Sequence, residues 1–92
     1  MTLHIVNQSP YRTSALRDCL DAMADGDALL LIEDGVYAAG APTGIAPIPA
    51  GTYCLQADAV ARGITPAKSI TLIDDERWIA LCVEHTPIVS WF

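Results

Sequence analysis

Basic residues are scarce in this chain. Five Lys and Arg stand against eleven Asp and Glu, a formal net charge of −6. A protein that grips a phosphate backbone needs clustered Lys and Arg, so direct nucleic-acid binding is excluded as its main task. Long apolar runs are lacking as well. The longest compact one, Ala28-Leu29-Leu30-Leu31-Ile32, has the length of a strand and falls far short of the roughly 18 residues that cross a bilayer. Met1-Thr2-Leu3-His4 carries neither the basic nor the apolar part of a signal peptide, which points to the cytoplasm and away from membranes. Three cysteines stand at 19, 54 and 82, and no two form a C-x-x-C pair. An odd, scattered set is a poor disulfide framework and reads as reduced thiols.

Most catalytic signatures are missing too. Ala41-Pro42 follows Gly40 where a phosphate-binding loop has Lys and then Ser or Thr. No G-x-G-x-x-G follows the first apolar run, and no G-x-S-x-G elbow occurs anywhere, which removes the dinucleotide and serine-hydrolase fingerprints. His4 and His85 are far apart in sequence and read as structural residues rather than metal ligands. No cofactor and no metal are expected.

What is present is apolar material. Ninety-two residues make a single domain, 1–92. A domain of this size buries only about 60–65% of its unfolded surface, yet 52% of the residues are hydrophobic. The surplus beyond one small core predicts burial against another subunit.

The pattern along the chain alternates strands and helices. Leu3-His4-Ile5-Val6 reads as a first strand, broken by Asn7-Gln8-Ser9-Pro10. Ser9, Thr13 or Ser14 can cap the following helix, in which Leu16, Leu20 and Met23 share one face. Asp25-Gly26-Asp27 ends it. The run 28–32, apolar at every residue, is expected in the middle of a parallel sheet covered on both faces. Val36-Tyr37-Ala38-Ala39 reads as a short helix, and 40–51 as a loop punctuated by Gly and Pro. Thr52–Leu55 is the third strand, and Asp58–Arg62 a helical turn closed by Gly63. Ile70–Ile73 is the fourth strand. Asp74 or Asp75 caps a helix whose inner face holds Trp78, Leu81, Cys82 and His85, with Ile79 and Val83 flanking it. Ile88–Phe92 is a last short strand. The predicted fold is α/β: a small three-layer sandwich of about five mostly parallel strands with right-handed crossovers and helices on both faces.

Two features could carry chemistry. Glu33 and Asp34 form an adjacent acid pair, as general acid–base catalysis uses. The same pair suits the start of a helix, where the macrodipole favours negative charge, and that structural reading is preferred. The thiols are the other feature, because thiolate is the nucleophile in sulfur exchange. Cys54 lies in a predicted buried strand and Cys82 on an apolar helix face, so both read as small core residues. Cys19 follows Arg17-Asp18 and borders the apolar stripe; partial exposure would make it the candidate nucleophile, while burial or inert exposure is the preferred reading.

Several segments together resemble one family. Leu3-His4-Ile5-Val6-Asn7-Gln8-Ser9-Pro10 is similar to an "LH-x-x-x-x-SP" start, and Gly26-Asp27-Ala28 through Val36-Tyr37-Ala38-Ala39 to a "GD-x-LLLI-x-DGVYAA" centre. Ala61-Arg62-Gly63, Ile73-Asp74 and Ser90-Trp91 match its later steps in order. The family is TusB/DsrH. The resemblance implies a DsrE/DsrF-like fold and a heterohexamer with TusC/DsrF-like and TusD/DsrE-like subunits, two copies of each. It also implies a downstream TusE/DsrC-like sulfur acceptor. In the Tus branch such a complex passes persulfide sulfur toward 2-thiolation of the wobble uridine of tRNA. In the Dsr branch it serves dissimilatory sulfur oxidation. The main acceptor cysteine belongs to the TusD/DsrE-type subunit, and Dsr-type members of the small subunit carry a cysteine in the first helix, where Cys19 falls. The chain is thus expected to be a supporting or relay subunit of a sulfurtransferase, with Cys19 as a possible persulfide relay. A stand-alone thiol enzyme using Cys19, or a homo-oligomeric small-ligand binder, are the readings from other classes.

Overall fold

The computed structural model describes residues 1–40, 48–49 and 51–92. Along the chain run β1 (Leu3–Val6), α1 (Ala15–Ala22), β2 (Ala28–Leu31), a 3-10 helix (Glu33–Gly40), β3 (Tyr53–Leu55), α2 (Gln56–Ala61), β4 (Thr71–Ile73), α3 (Asp75–Glu84) and β5 (Ile88–Trp91). The expected loop at 40–51 falls mostly on 41–47 and 50, outside the described residues.

The strands form one parallel sheet in the order β4-β3-β2-β1-β5. The all-apolar β2 sits at its centre. Parallel neighbours require right-handed crossovers, and this order has a direct consequence. The chain steps from β1 to β2 to β3 to β4 in one direction, so α1, the 3-10 helix and α2 share one face. The last step, from β4 to β5, runs back across the sheet and places α3 on the other face.

Two apolar clusters record that division. On the first face, Val6, Leu29, Leu31 and Cys54 pack with Leu16 and Cys19 of α1, with Val36, Ala38 and Ala39 of the 3-10 helix, and with Ala59 of α2. On the second, Leu3, Ile5, Leu30, Ile32, Leu55 and Ile73 pack against Leu81 of α3, flanked by Trp78 and Cys82. Small residues let the 3-10 helix lie close to the sheet. At Gly35 a β-carbon would collide with the carbonyl of Val6.

Local signals account for the helix ends. Asp74 caps α3, its carboxylate accepting from the Arg77 N–H at 2.8 Å. Ser14 is the N-cap of α1 without a side-chain bond to the helix amides; its hydroxyl instead donates to Asp18 at 3.0 Å. Ser9 organises the turn before the helix, accepting from the Tyr11 N–H at 3.2 Å. Gly63 ends α2, and Gly26 turns the chain from α1 into β2; with φ of 66° and 87°, both occupy the left-handed region that only glycine adopts freely.

Leu81 is the only α3 side chain that is fully enclosed, while Val83, two residues on, is 80% exposed. Leu81→Ala should therefore cost about 2–5 kcal/mol, whereas Val83→Ala should stay within about 0.5 kcal/mol. Urea denaturation of the two variants checks the contrast.

Candidate functional site

In open parallel sheets ligands bind outside the carboxyl ends of the strands. Here those ends carry a set of mutually engaged polar groups. Glu33, directly after β2, adopts φ 49°, and its N–H donates to Asp58 of α2 at 2.8 Å. The Asn7 amide, after β1, donates to the Glu33 carboxylate at 3.5 Å. Arg62 donates from Nε to Asp34 at 3.0 Å and lies 3.8 Å from Asp58. The bond to Asp34 pushes the Arg62 guanidinium pKa further up. The acid pair Glu33 and Asp34 thus opens the 3-10 helix, with Asp34 neutralised by Arg62. That arrangement ties the segment after β1, the start of the 3-10 helix and α2 together.

A second polar set is buried near the start of the sheet. His4 of β1, 4% exposed, sits between Asp27 and Trp91. Its Nε2 is 3.0 Å from the Asp27 carboxylate, and the Trp91 indole N–H donates to its Nδ1 at 3.1 Å. An indole nitrogen only donates, so Nδ1 accepts and Nε2 carries the proton toward Asp27. Asp27 also accepts from the N–H groups of Thr2 at 3.0 Å and Ala24 at 3.1 Å. The His4 hydrogen bond first, then those two amides, hold the Asp27 carboxyl well below the usual carboxylate range. The chain Asp27–His4–Trp91 links the entry of β2, the centre of β1 and the end of β5. Sequence reading took His4 as an isolated structural histidine, and nothing in it paired that residue with Trp91. The register of β1 against β5 sets His4 beside Val89 and Val6 beside Trp91, on one face, and that pairing was the missing signal.

The thiols complete the inventory. Cys19, at the edge of the apolar stripe, could have been partly exposed or buried. It is fully buried under α1. Burial, reinforced by the negative charge of Asp27, pushes its thiol up to about 12. Cys54 is equally enclosed in β3, its thiol pushed up to about 11 by burial and then by Asp58. Cys82 is half-buried on α3. A group that must become thiolate to react is therefore held protonated at 19 and at 54. His85 has a local partner: its Nδ1 lies 2.8 Å from the Leu81 carbonyl. Among the described residues no three His, Cys, Asp or Glu side chains gather as a metal would require. None of the described helices is long and apolar enough to cross a membrane.

Trp91→Phe keeps the ring and removes the donor to His4, leaving a buried acceptor without its partner. Unfolding experiments should show a loss of about 1–2 kcal/mol. The depressed Asp27 pKa has a definite sign. Its stabilisation is fully present above the ordinary carboxylate range and is lost as pH falls through the folded-state value. Urea midpoints measured from about pH 6 down to 2 should fall more steeply for the wild type than for Asp27→Asn.

The model of the family described as "DsrH like protein" matches residues 8–88. Protein TusB of Pectobacterium parmentieri is 36% identical, with 97% of this chain and 99% of that protein covered. Protein TusB of Escherichia coli K12 is 34% identical over the same shares. Among solved structures, protein Tm0979 from Thermotoga maritima superimposes with a TM-score of 0.67 at 25% identity, covering 91% of this chain and 93% of that one. The ychN protein from E. coli gives 0.68 at 13% identity, with 97% of each chain covered, a likeness of fold alone. By its family model and its near-full-length likeness to the TusB proteins, this chain belongs to the DsrH-like family.

Proposed function

We propose that the chain is a non-catalytic subunit of a heteromeric sulfur-relay complex of the Tus type, assembled with TusC/DsrF-like and TusD/DsrE-like sister chains. In that complex it supports persulfide transfer to a TusE/DsrC-like acceptor and, beyond it, 2-thiolation of the tRNA wobble uridine. The observation that carries this reading is the 34–37% identity to proteins named TusB over nearly the whole chain. The site chemistry agrees with a supporting role. Cys19 and Cys54 are buried and held as thiols, and a persulfide carrier must be open to a partner's thiolate. In this packing Cys19 serves as a core residue, and sulfur would reach it only if α1 lifted from the sheet. The catalytic cysteine is then supplied by a sister chain. Surface composition agrees as well: Met1, Tyr11, Val60, Ile79, Val83 and Phe92 are all more than 60% exposed, an apolar allotment that suits subunit contacts.

Sulfur tracing tests the proposal. The complex, reconstituted with both sister chains and supplied with a radiolabelled persulfide donor, should carry label on a sister chain and pass it to the acceptor. Cys19→Ala and Cys54→Ala should leave the transfer rate within about twofold. Labelling with turnover at Cys19 of the isolated chain would instead make it a stand-alone thiol enzyme. A thiol-specific alkylating reagent applied to the native chain should modify Cys82 first. Cys19 and Cys54 should react only as fast as the protein opens.

A further inference from the structure

The sheet has two ends, and they are not equivalent. Leu3 N–H donates to the Pro87 carbonyl, so the alternation of a parallel ladder turns Val89 toward β1. The N–H and C=O groups of Ile88 and Ser90, and the N–H of Phe92, then face outward. At the other end Thr71 N–H donates to the Thr52 carbonyl; by the same alternation the three-residue β4 turns only Leu72 outward and runs directly into Asp74-Asp75-Glu76. Natural edges are blunted by charged side chains, proline within the strand, or a bulge. The β5 strand, Ile88-Val89-Ser90-Trp91, has no charge and no proline, and its ladder to β1 runs without a bulge through four residue pairs.

Beside the end of this strand lies an open cleft of about 380 Å³. Trp91, Phe92 and Ala15 supply its apolar lining. Gln8, Ser14 and Asp18 supply polar groups, and no cationic side chain lines it. Trp91 is held in place by its bond to His4, so the cleft has one fixed wall.

We propose that the free edge of β5 receives an extended segment of a partner protein as a sixth strand, one of whose long cationic side chains lies along Trp91 and Phe92 and ends at Asp18. Strand addition draws affinity from main-chain hydrogen bonds and specificity from pockets that take alternate side chains. The unpaired edge supplies the first and the cleft the second. Charge chooses the segment: the chain carries −6 overall, and Asp18 is the one charged side chain lining the cleft. The occupied edge is independent of the sulfur-relay reading.

The test uses the isolated chain and two short capped peptides of alternating Thr and Val, one with Lys at its centre and one with Glu. NMR titration up to about 1 mM peptide should show the Lys peptide binding, with the Ile88 and Ser90 amides becoming protected from hydrogen exchange. The Glu peptide should bind at least about threefold more weakly, and Asp18→Asn should erase that preference. Ser90→Pro removes an outward N–H while leaving the ladder to β1 intact; it should weaken binding at least about tenfold, the loss of roughly one well-made hydrogen bond. Ile88→Lys, which charges the edge, should do the same and carries the test if the proline variant does not fold. Absence of binding by either peptide overturns the proposal, as does binding that survives both edge variants. Equal binding of the two peptides overturns the cationic assignment. Concentration-dependent protection of Ile88 and Ser90 without peptide would assign the edge to a second copy of this chain instead.

Discussion

A parallel strand can be reached from its neighbour only by a crossover, and the crossover turns to the right. That constraint decides how this small protein is covered. Three successive steps in one direction lay α1, the 3-10 helix and α2 on one face, and the single return step leaves α3 alone on the other. One helix about 10 Å wide lies over a five-stranded sheet roughly 20 Å across. The central strands are nevertheless sealed, because Leu81 and its neighbours meet Leu3, Ile5, Leu30 and Ile32. The margins are where cover runs out: Ile88 on β5 is 44% exposed, and the outer side of α3 shows Ile79 and Val83. These exposed apolar side chains are what the proposed subunit contacts would cover.

The same tight packing decides the chemistry. Cys19 owes its inertness to the face on which α1 lies, since the helix turn that buries Leu16 also buries the thiol three residues later. Removing water raises the cost of the thiolate, and Asp27 nearby adds to it. The two polar sets serve architecture: the largely enclosed Asp27, His4 and Trp91 fasten three chain segments, while the partly exposed Arg62 gathers Asp34 and Asp58. The family model likewise spans nearly the whole chain, residues 8–88.

Much of this was legible in the residues. The five strands stand where β-branched and apolar runs placed them, and β2 is central because it is apolar on every side chain. Asp74 caps α3, and Trp78, Leu81 and Cys82 turn inward as their spacing requires. What could not be read was tertiary. No local pattern says that His4 and Trp91, 87 residues apart, would share a face, because that follows from strand order and register. The exposure of Cys19 stayed open for a related reason. The adjacent Arg17-Asp18 pair allowed a solvent-facing thiol, but in a helix the next residue turns about 100° away from its neighbour, and here that turn takes it beneath the stripe.

Native mass spectrometry of the chain mixed with its TusC/DsrF-like and TusD/DsrE-like sisters addresses the account most directly. A discrete particle containing all three chains, formed at the expense of the free chain, is the predicted result. A chain that stays monomeric and stably folded at high concentration, and takes up neither sister, would contradict it.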